Sequence, residues 1–194
     1  NRFSDGISKS EWAMLSSDDH LPLMNKVLHA LYPPGSTVKP MNALALLRWG
    51  VDPEETVNCP GFYRLGSAVF HCWRPHGHGP INMRRAIQQS CDVYFYSMIR
   101  RIGIDKLAPM AHQLGLGEKF DLPTVMQRYG TVPDTAWKMR RYKKEWTTAD
   151  TLNASIGQGY VLVNPLQLAV MAARIASGRA LAPRLIANKR YGPQ

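Results

Sequence analysis

The sequence predicts a mostly α-helical domain with minor β structure. Three observations carry that expectation. The chain has 194 residues, of which 45% are hydrophobic and 20% charged, enough for one domain with a real core. Apolar residues recur at helical spacing in several stretches bounded by capping residues and glycines. The stretch Asp52 to Pro80 loses that spacing and is punctuated by Pro53, Pro60, Gly61, Gly66, Pro75, Gly77 and Gly79.

Taken in order, Ser8 to Ser16 reads as a short helix with Ser8 or Ser10 as N-cap and Glu11 in its first turn, and Leu21 to Leu31 as a second. Ser36 to Trp49 follows, with Ala43, Leu44, Leu46 and Leu47 inward, Pro40 tolerated in the first turn and Gly50 as C-cap. The loop-rich stretch 52–80 holds one hairpin, with strands near Val57 and Ala68 to Cys72. Helical pattern returns over Asn82 to Gln89, breaks at Ser90 and resumes from Asp92 to Arg101; Asp105 then caps a helix towards Gly115. Gly117 to Thr148 is weakly patterned and basic, a long excursion. The last helix starts at Asn164-Pro165, a cap followed by a first-position proline, and ends at Gly178.

Chemistry concentrates first in Tyr32-Pro33-Pro34-Gly35-Ser36-Thr37-Val38-Lys39-Pro40. A serine hydroxyl needs a base within hydrogen-bond reach to act as a nucleophile. A lysine three residues on along a helix lies on the same face. The loop ends where the helix starts, so Ser36 falls at a helix N-terminus, where free N–H groups favour developing negative charge. Ser-x-x-Lys is weak evidence alone, because a serine there is more often a simple N-cap. A second cluster, Ser90-Cys91-Asp92, strengthens it.

Tyr32 to Pro40, Ser90-Cys91-Asp92-Val93-Tyr94-Phe95-Tyr96, and Ser155-Ile156-Gly157-Gln158-Gly159-Tyr160 with Asn164-Pro165-Leu166-Gln167-Leu168 resemble the transpeptidase domain of class B penicillin-binding proteins, in order and spacing over nearly the whole chain. Gly77-His78-Gly79, Gly103-Ile104-Asp105-Lys106-Leu107 and Trp137-Lys138 through Trp146 resemble the rod-elongation branch of that family, penicillin-binding protein 2. The resemblance implies the helical lobe of the serine β-lactamase/penicillin-binding transpeptidase fold, with the main antiparallel sheet largely outside this chain. Residues 1–194 then form a partial transpeptidase domain.

The implied activity is a peptidoglycan D,D-transpeptidase that cross-links stem peptides and is a target of β-lactams. Ser36 attacks the penultimate D-alanine carbonyl, Lys39 takes its proton, Ser90 relays a proton to the leaving amine, and Asp92 orients Lys39. Gly157, Gln158 and Gly159 are candidate substrate-binding residues, although a tight turn under the site floor is the plainer role. No cofactor is needed for catalysis. Two departures stand out. Asp92 replaces the family's usual asparagine; an ionised carboxylate only accepts hydrogen bonds and suits a lysine cation. The Lys-Thr-Gly or Lys-Ser-Gly motif is missing, since Lys189-Arg190-Tyr191-Gly192 does not fit it. With it go one cleft wall and half of the oxyanion hole.

Three cysteines, Cys59, Cys72 and Cys91, cannot all pair internally, and the cell envelope is oxidising. With His78 they compose a Cys₃His set suited to structural zinc. His78 is preferred to His71 and His76 because Gly77 and Gly79 let the backbone approach a metal. A Cys59–Cys72 disulfide with Cys91 free, or three buried thiols, remain open. His20, His29 and His112 show no partner pattern.

The formal net charge is +10, which calls for an acidic partner. The basic residues are scattered apart from Lys138-Met139-Arg140-Arg141-Tyr142-Lys143-Lys144, read as a solvated face rather than a nucleic-acid arm. Stem peptides, anionic headgroups and, by resemblance, rod-complex glycosyltransferase and scaffold proteins fit better. The resemblance places the parent at the bacterial inner membrane, facing the periplasm, with its anchor helix outside this sequence. The chain is read as a piece of that longer protein. Two rivals are a hydrolase on the same fold (D,D-carboxypeptidase or β-lactamase) and a non-catalytic, zinc-stapled basic binding module.

Overall fold

Most of the described helices begin where a short polar side chain meets the first free N–H groups. The computed structural model describes residues 3–123 and 127–185, so the Lys189–Gly192 segment lies outside the described residues. Helix α1, Lys9–Ser16, opens with Ser8 and Glu11 in a reciprocal capping box. Helix α2 is a single turn, Lys26–His29, capped by Asn25. The longer helix expected over Leu21 to Leu31 does not form. Pro22 disfavours helical backbone at Leu21, which adopts φ +50°.

A 3₁₀ turn, Gly35–Val38, runs directly into α3, Lys39–Arg48. Strand β1, Val57–Cys59, pairs antiparallel with β4, Gly79–Ile81, while β2, Phe62–Leu65, pairs with β3, Ala68–His71. Stretch 52–80 therefore folds into two small two-stranded sheets, one more than expected. Then come α4, Met83–Gln88; α5, Asp92–Ile102; and α6, Ile104–Gln113. Gly103, not Asp105, precedes α6 at the cap position. The Asp105 carboxylate instead accepts from the Thr135 N–H at 3.0 Å and hydroxyl at 2.9 Å.

The stretch read as an excursion contains α7, Thr135–Tyr142, capped by Asp134, and leads into α8, Thr148–Ser155, capped by Thr147. Four of its eight residues are polar or basic, and with the basic residues that follow they mask the apolar positions of α7. Helix α9, Pro165–Ser177, carries the expected Asn164 cap, first-turn proline and left-handed Gly178.

Helix α5 is the central pillar. Val93, Tyr94, Phe95, Tyr96, Met98 and Ile99 are all buried, against α3, α6 and α8. Ala43 and Leu46 of α3 join this core and Leu44 packs on it, but Leu47 turns outward. Among the described residues no helix is long and apolar enough to cross a membrane.

Asn164 and Gln167 stitch α9 to the segment before α7. Asn164 Nδ2 donates to Arg128 O at 2.6 Å, and Gln167 Nε2 donates to Glu118 O at 2.8 Å and Tyr129 O at 3.1 Å. Asn164→Ala removes the cap and strands a carbonyl, so it should cost about 2–4 kcal/mol. A lower urea midpoint at unchanged slope checks this.

Candidate active site

In the 3₁₀ turn residues three apart eclipse one another, so Ser36 and Lys39 project to the same side. The Lys39 N–H donates to Ser36 O, closing the turn, and Thr37 Oγ1 donates to Pro34 O at 2.7 Å. Ser36 is exposed, whereas Lys39 is only 2% exposed. True α-helix begins at Lys39, so the nucleophile candidate sits in a tighter turn than expected.

Lys39 Nζ uses all three N–H donors. It donates to Ser90 O at 2.8 Å, Ser90 Oγ at 2.9 Å and Asp92 Oδ1 at 2.5 Å. Three donated bonds define an ammonium, and Asp92 is its counterion. The Phe95 ring lies 5.7 Å from the same nitrogen. Among the described residues Ser36 Oγ makes no hydrogen bond, so the Ser36–Lys39 contact is absent while Lys39, Ser90 and Asp92 are joined.

Ser90 takes φ +52°, a left-handed conformation that is costly for a residue with a Cβ. This bend between α4 and α5 turns both the carbonyl and hydroxyl of Ser90 towards Lys39. Asp92 is the first residue of α5, where a negative charge suits the helix dipole. Its second oxygen, Oδ2, accepts from the Trp73 backbone N–H at 3.1 Å. The Trp73 indole is 62% exposed, yet its Nε1 donates to Gln89 O at 2.9 Å and its ring meets His78 edge-on. Sequence reasoning missed Trp73, whose contribution to Asp92 is a backbone group. It also missed Asn42, a fully buried side chain that donates to Ser155 O at 2.7 Å and ties α3 to α8.

Gly157 underlies the nucleophile turn. Its carbonyl accepts from the Gly35 N–H at 2.9 Å, and a Cβ on Gly157 would meet Gly35 O at 2.3 Å. Gln158 and Gly159 are exposed, with the Gln158 amide reaching over Gly35.

Cys59, Cys72, His78 and Cys91 converge, with ligand atoms all within 4.8 Å of one another. The cysteines are free, so the disulfide reading does not hold. His78 Nδ1 lies 3.5 Å from Cys59 Sγ and 3.6 Å from Cys72 Sγ. Ligands about 2.1–2.3 Å from a tetrahedral zinc stand about 3.6–3.8 Å apart, so these two edges fit an ion. The neighbouring Cys91 thiol holds the Cys72 thiol well below its usual range, helped by the backbone N–H groups of Arg74, Asp92 and Val93 and opposed by burial. The Cys91 thiol is pushed up by its neighbour Cys72 and by burial. His71 and His76 are exposed and stand apart. Gly77 serves packing rather than metal approach: a Cβ there would strike Cys59 O at 2.0 Å, and the His78 N–H donates to that same carbonyl at 3.0 Å. Of the other histidines, His20 pairs with Asp18 at 3.0 Å and His112 with Glu118 at 2.8 Å.

The basic run is only partly a solvated face. Lys138 is buried and donates to Asp150 Oδ2 at 2.5 Å, while Arg140, Arg141, Lys143 and Lys144 stay exposed.

The family described as "Penicillin binding protein transpeptidase domain" matches residues 4–191. Peptidoglycan D,D-transpeptidase MrdA of Acinetobacter baumannii is 37% identical over 190 residues, covering 96% of this chain and 28% of that protein. Among solved structures, penicillin-binding protein 2 of Helicobacter pylori in complex with MreC superposes with TM-score 0.91 at 37% identity, over 96% of this chain and 36% of that one. Pseudomonas aeruginosa PBP2 in complex with WCK 5153 gives TM-score 0.87 at 38% identity, over 92% and 40%. The chain thus spans about a third of the length of the relatives it matches.

Removing one partner of a buried ion pair strands the other charge. Asp92→Ala should therefore cost about 3–5 kcal/mol, and the double variant Lys39→Met/Asp92→Leu distinctly less than the sum of the two single changes. Denaturant unfolding of all variants checks the cycle.

Proposed function

Because the chain belongs to the penicillin-binding protein transpeptidase domain family, we propose that the protein containing it is a peptidoglycan D,D-transpeptidase working through a Ser36 acyl-enzyme. The observation that carries this reading is the Lys39 ammonium held by Ser90 and Asp92, one eclipsed turn from an exposed serine hydroxyl. Nothing in a merely capped helix calls for a buried lysine at that place.

In this reading Ser36 Oγ attacks the penultimate D-alanine carbonyl of a stem peptide. Its proton must leave as the bond forms. Lys39 must first give up one ammonium proton to water as the substrate enters; the neutral amine then keeps two N–H donors for Ser90 and Asp92, turns its lone pair to Ser36 and accepts the proton. Ser90 Oγ, 2.9 Å from Nζ, hands a proton on to the leaving D-alanine amine. An amine of a neighbouring stem peptide then takes the acyl group, and Ser36 regains its proton. The Ser36 N–H stabilises the developing oxyanion. Asp92 orients Lys39 without touching substrate. The Gly157 turn supports the floor, with Gln158 at the substrate edge. β-Lactams acylate Ser36 because they mimic the acyl-D-alanyl-D-alanine end.

We further propose that Cys59, Cys72, His78 and Cys91 hold zinc through Sγ and Nδ1. Four protein ligands close the site, so the metal supplies structure and no catalytic water. Its placement reaches the catalytic residues through Cys91, between Ser90 and Asp92, and through Trp73, which follows Cys72 and donates to Asp92. The protein works at the periplasmic face of the inner membrane with rod-complex scaffold and glycosyltransferase partners. The MreC complex of its H. pylori relative supports the scaffold partner.

Two outcomes are expected with the full-length protein. Ser36→Ala abolishes covalent labelling by fluorescent penicillin, and Lys39→Ala slows it by about 10²–10⁴-fold; labelling that survives Ser36→Ala would sink the reading. Elemental analysis of reduced protein finds one zinc per chain, lost in Cys72→Ser. Affinity falls as pH falls, because the ligands bind deprotonated.

A further inference from the structure

Beside the nucleophile turn stands an aromatic platform that the proposed chemistry leaves unused. Contacts lead there step by step: Ser36 adjoins Gly35, Gly35 rests on Gly157, and three residues later Tyr160 packs against α7. The Tyr160 ring lies 5.3 Å from Trp137 and 5.3 Å from Tyr142, and Trp137 and Tyr142 lie 5.6 Å apart. These rings are not sealed into the core: Tyr142 is 46% exposed, and Trp137 and Tyr160 are half-buried.

Cations follow in the same stretch of chain: Arg140, Arg141, Lys143 and Lys144 are exposed, and Glu145 is the acidic residue next to them in sequence. The Arg141 guanidinium sits 6.0 Å above the Tyr142 ring. Among the described residues none of the four is in an ion pair, whereas Lys138 is spent inward on Asp150. That buried pair, with the Thr147 cap on the same carboxylate, fixes α7 against α8, so the platform is formed before any ligand arrives.

Partly exposed rings suit the C–H faces of sugars, and four cations outside any ion pair suit carboxylates. A glycan strand carrying acidic peptides offers both, alternating along one polymer. We infer that the face formed by Trp137, Tyr142 and Tyr160, with the Arg140–Lys144 cations, docks an uncross-linked glycan strand and delivers its stem peptides to Ser36. This rests on the transpeptidase reading. An anionic lipid surface would also meet the cations, but it gives no reason for a preformed ring cluster on the path from Ser36.

The test uses the full-length protein in detergent with three measurements: cosedimentation with purified uncross-linked glycan strands, flotation with phosphatidylglycerol vesicles, and acylation by a fluorescent penicillin. Changing Arg140, Arg141, Lys143 and Lys144 together to Gln should weaken strand binding about tenfold and flatten its dependence on salt. Tyr142→Ala, which leaves every charge in place, should weaken strand binding severalfold without altering the salt dependence. Strand affinity unchanged in both variants overturns the inference. So does loss confined to the vesicles, which would make the face a lipid contact. If the fourfold variant fails to acylate, Tyr142→Ala with the wild-type salt titration decides by the same criteria. A wild-type protein that never acylates would instead overturn the transpeptidase reading beneath it.

Discussion

A lysine ammonium almost wholly withdrawn from water must be compensated by neighbours brought to it, and the site is organised around that need. Desolvating a charge costs several kcal/mol even after relaxation. Lys39 recovers this through a carboxylate, a hydroxyl and a carbonyl, one for each N–H. The carbonyl and hydroxyl come from one residue, which is why Ser90 holds a left-handed backbone. The carboxylate sits at the first turn of α5, so the helix that fills the core also fixes the counterion. Packing and charge compensation are therefore one design: loosening α5 would unseat Asp92.

The Cys/His cluster reaches the same triad by two covalent neighbours. Cys91 separates Ser90 from Asp92, and Cys72 precedes the residue whose N–H binds Asp92 Oδ2. Stretch 52–80 has only two short sheets to order it. A knot of sulfur and imidazole joins β1, the residue after β3, the approach to β4 and the start of α5 beside the Lys39–Ser90–Asp92 triad.

What was legible in the sequence was local or carried by residue type. Ser8 with Glu11, and Asn164-Pro165 with Gly178, announced helix ends because capping is short-range chemistry. Ser36, Lys39, Ser90, Asp92 and the Cys₃His set were readable as side-chain chemistry in recurring order. Less legible were features made by distant partners. The β1–β4 pairing spans the intervening hairpin and leaves no turn signal of its own. Helix α7 is held by the Asp134 cap, the Lys138–Asp150 pair and the packing of Trp137 and Tyr142 on Tyr160, and its basic run concealed a buried lysine. Trp73 escaped notice because a backbone N–H has no residue-type signature.

The contact between Gly35 and Gly157 also sets an order of events. More than a hundred residues of chain separate the nucleophile turn from the carbonyl that supports it. During synthesis Ser36 emerges early, but its turn has no floor until the chain beyond α8 has been made and has docked, and closing so long a loop is slow. Lys39 likewise waits for Ser90 and Asp92. The Ser36 turn thus lacks its support through most of translation, and its assembly reports that distant stretches of the chain have come together.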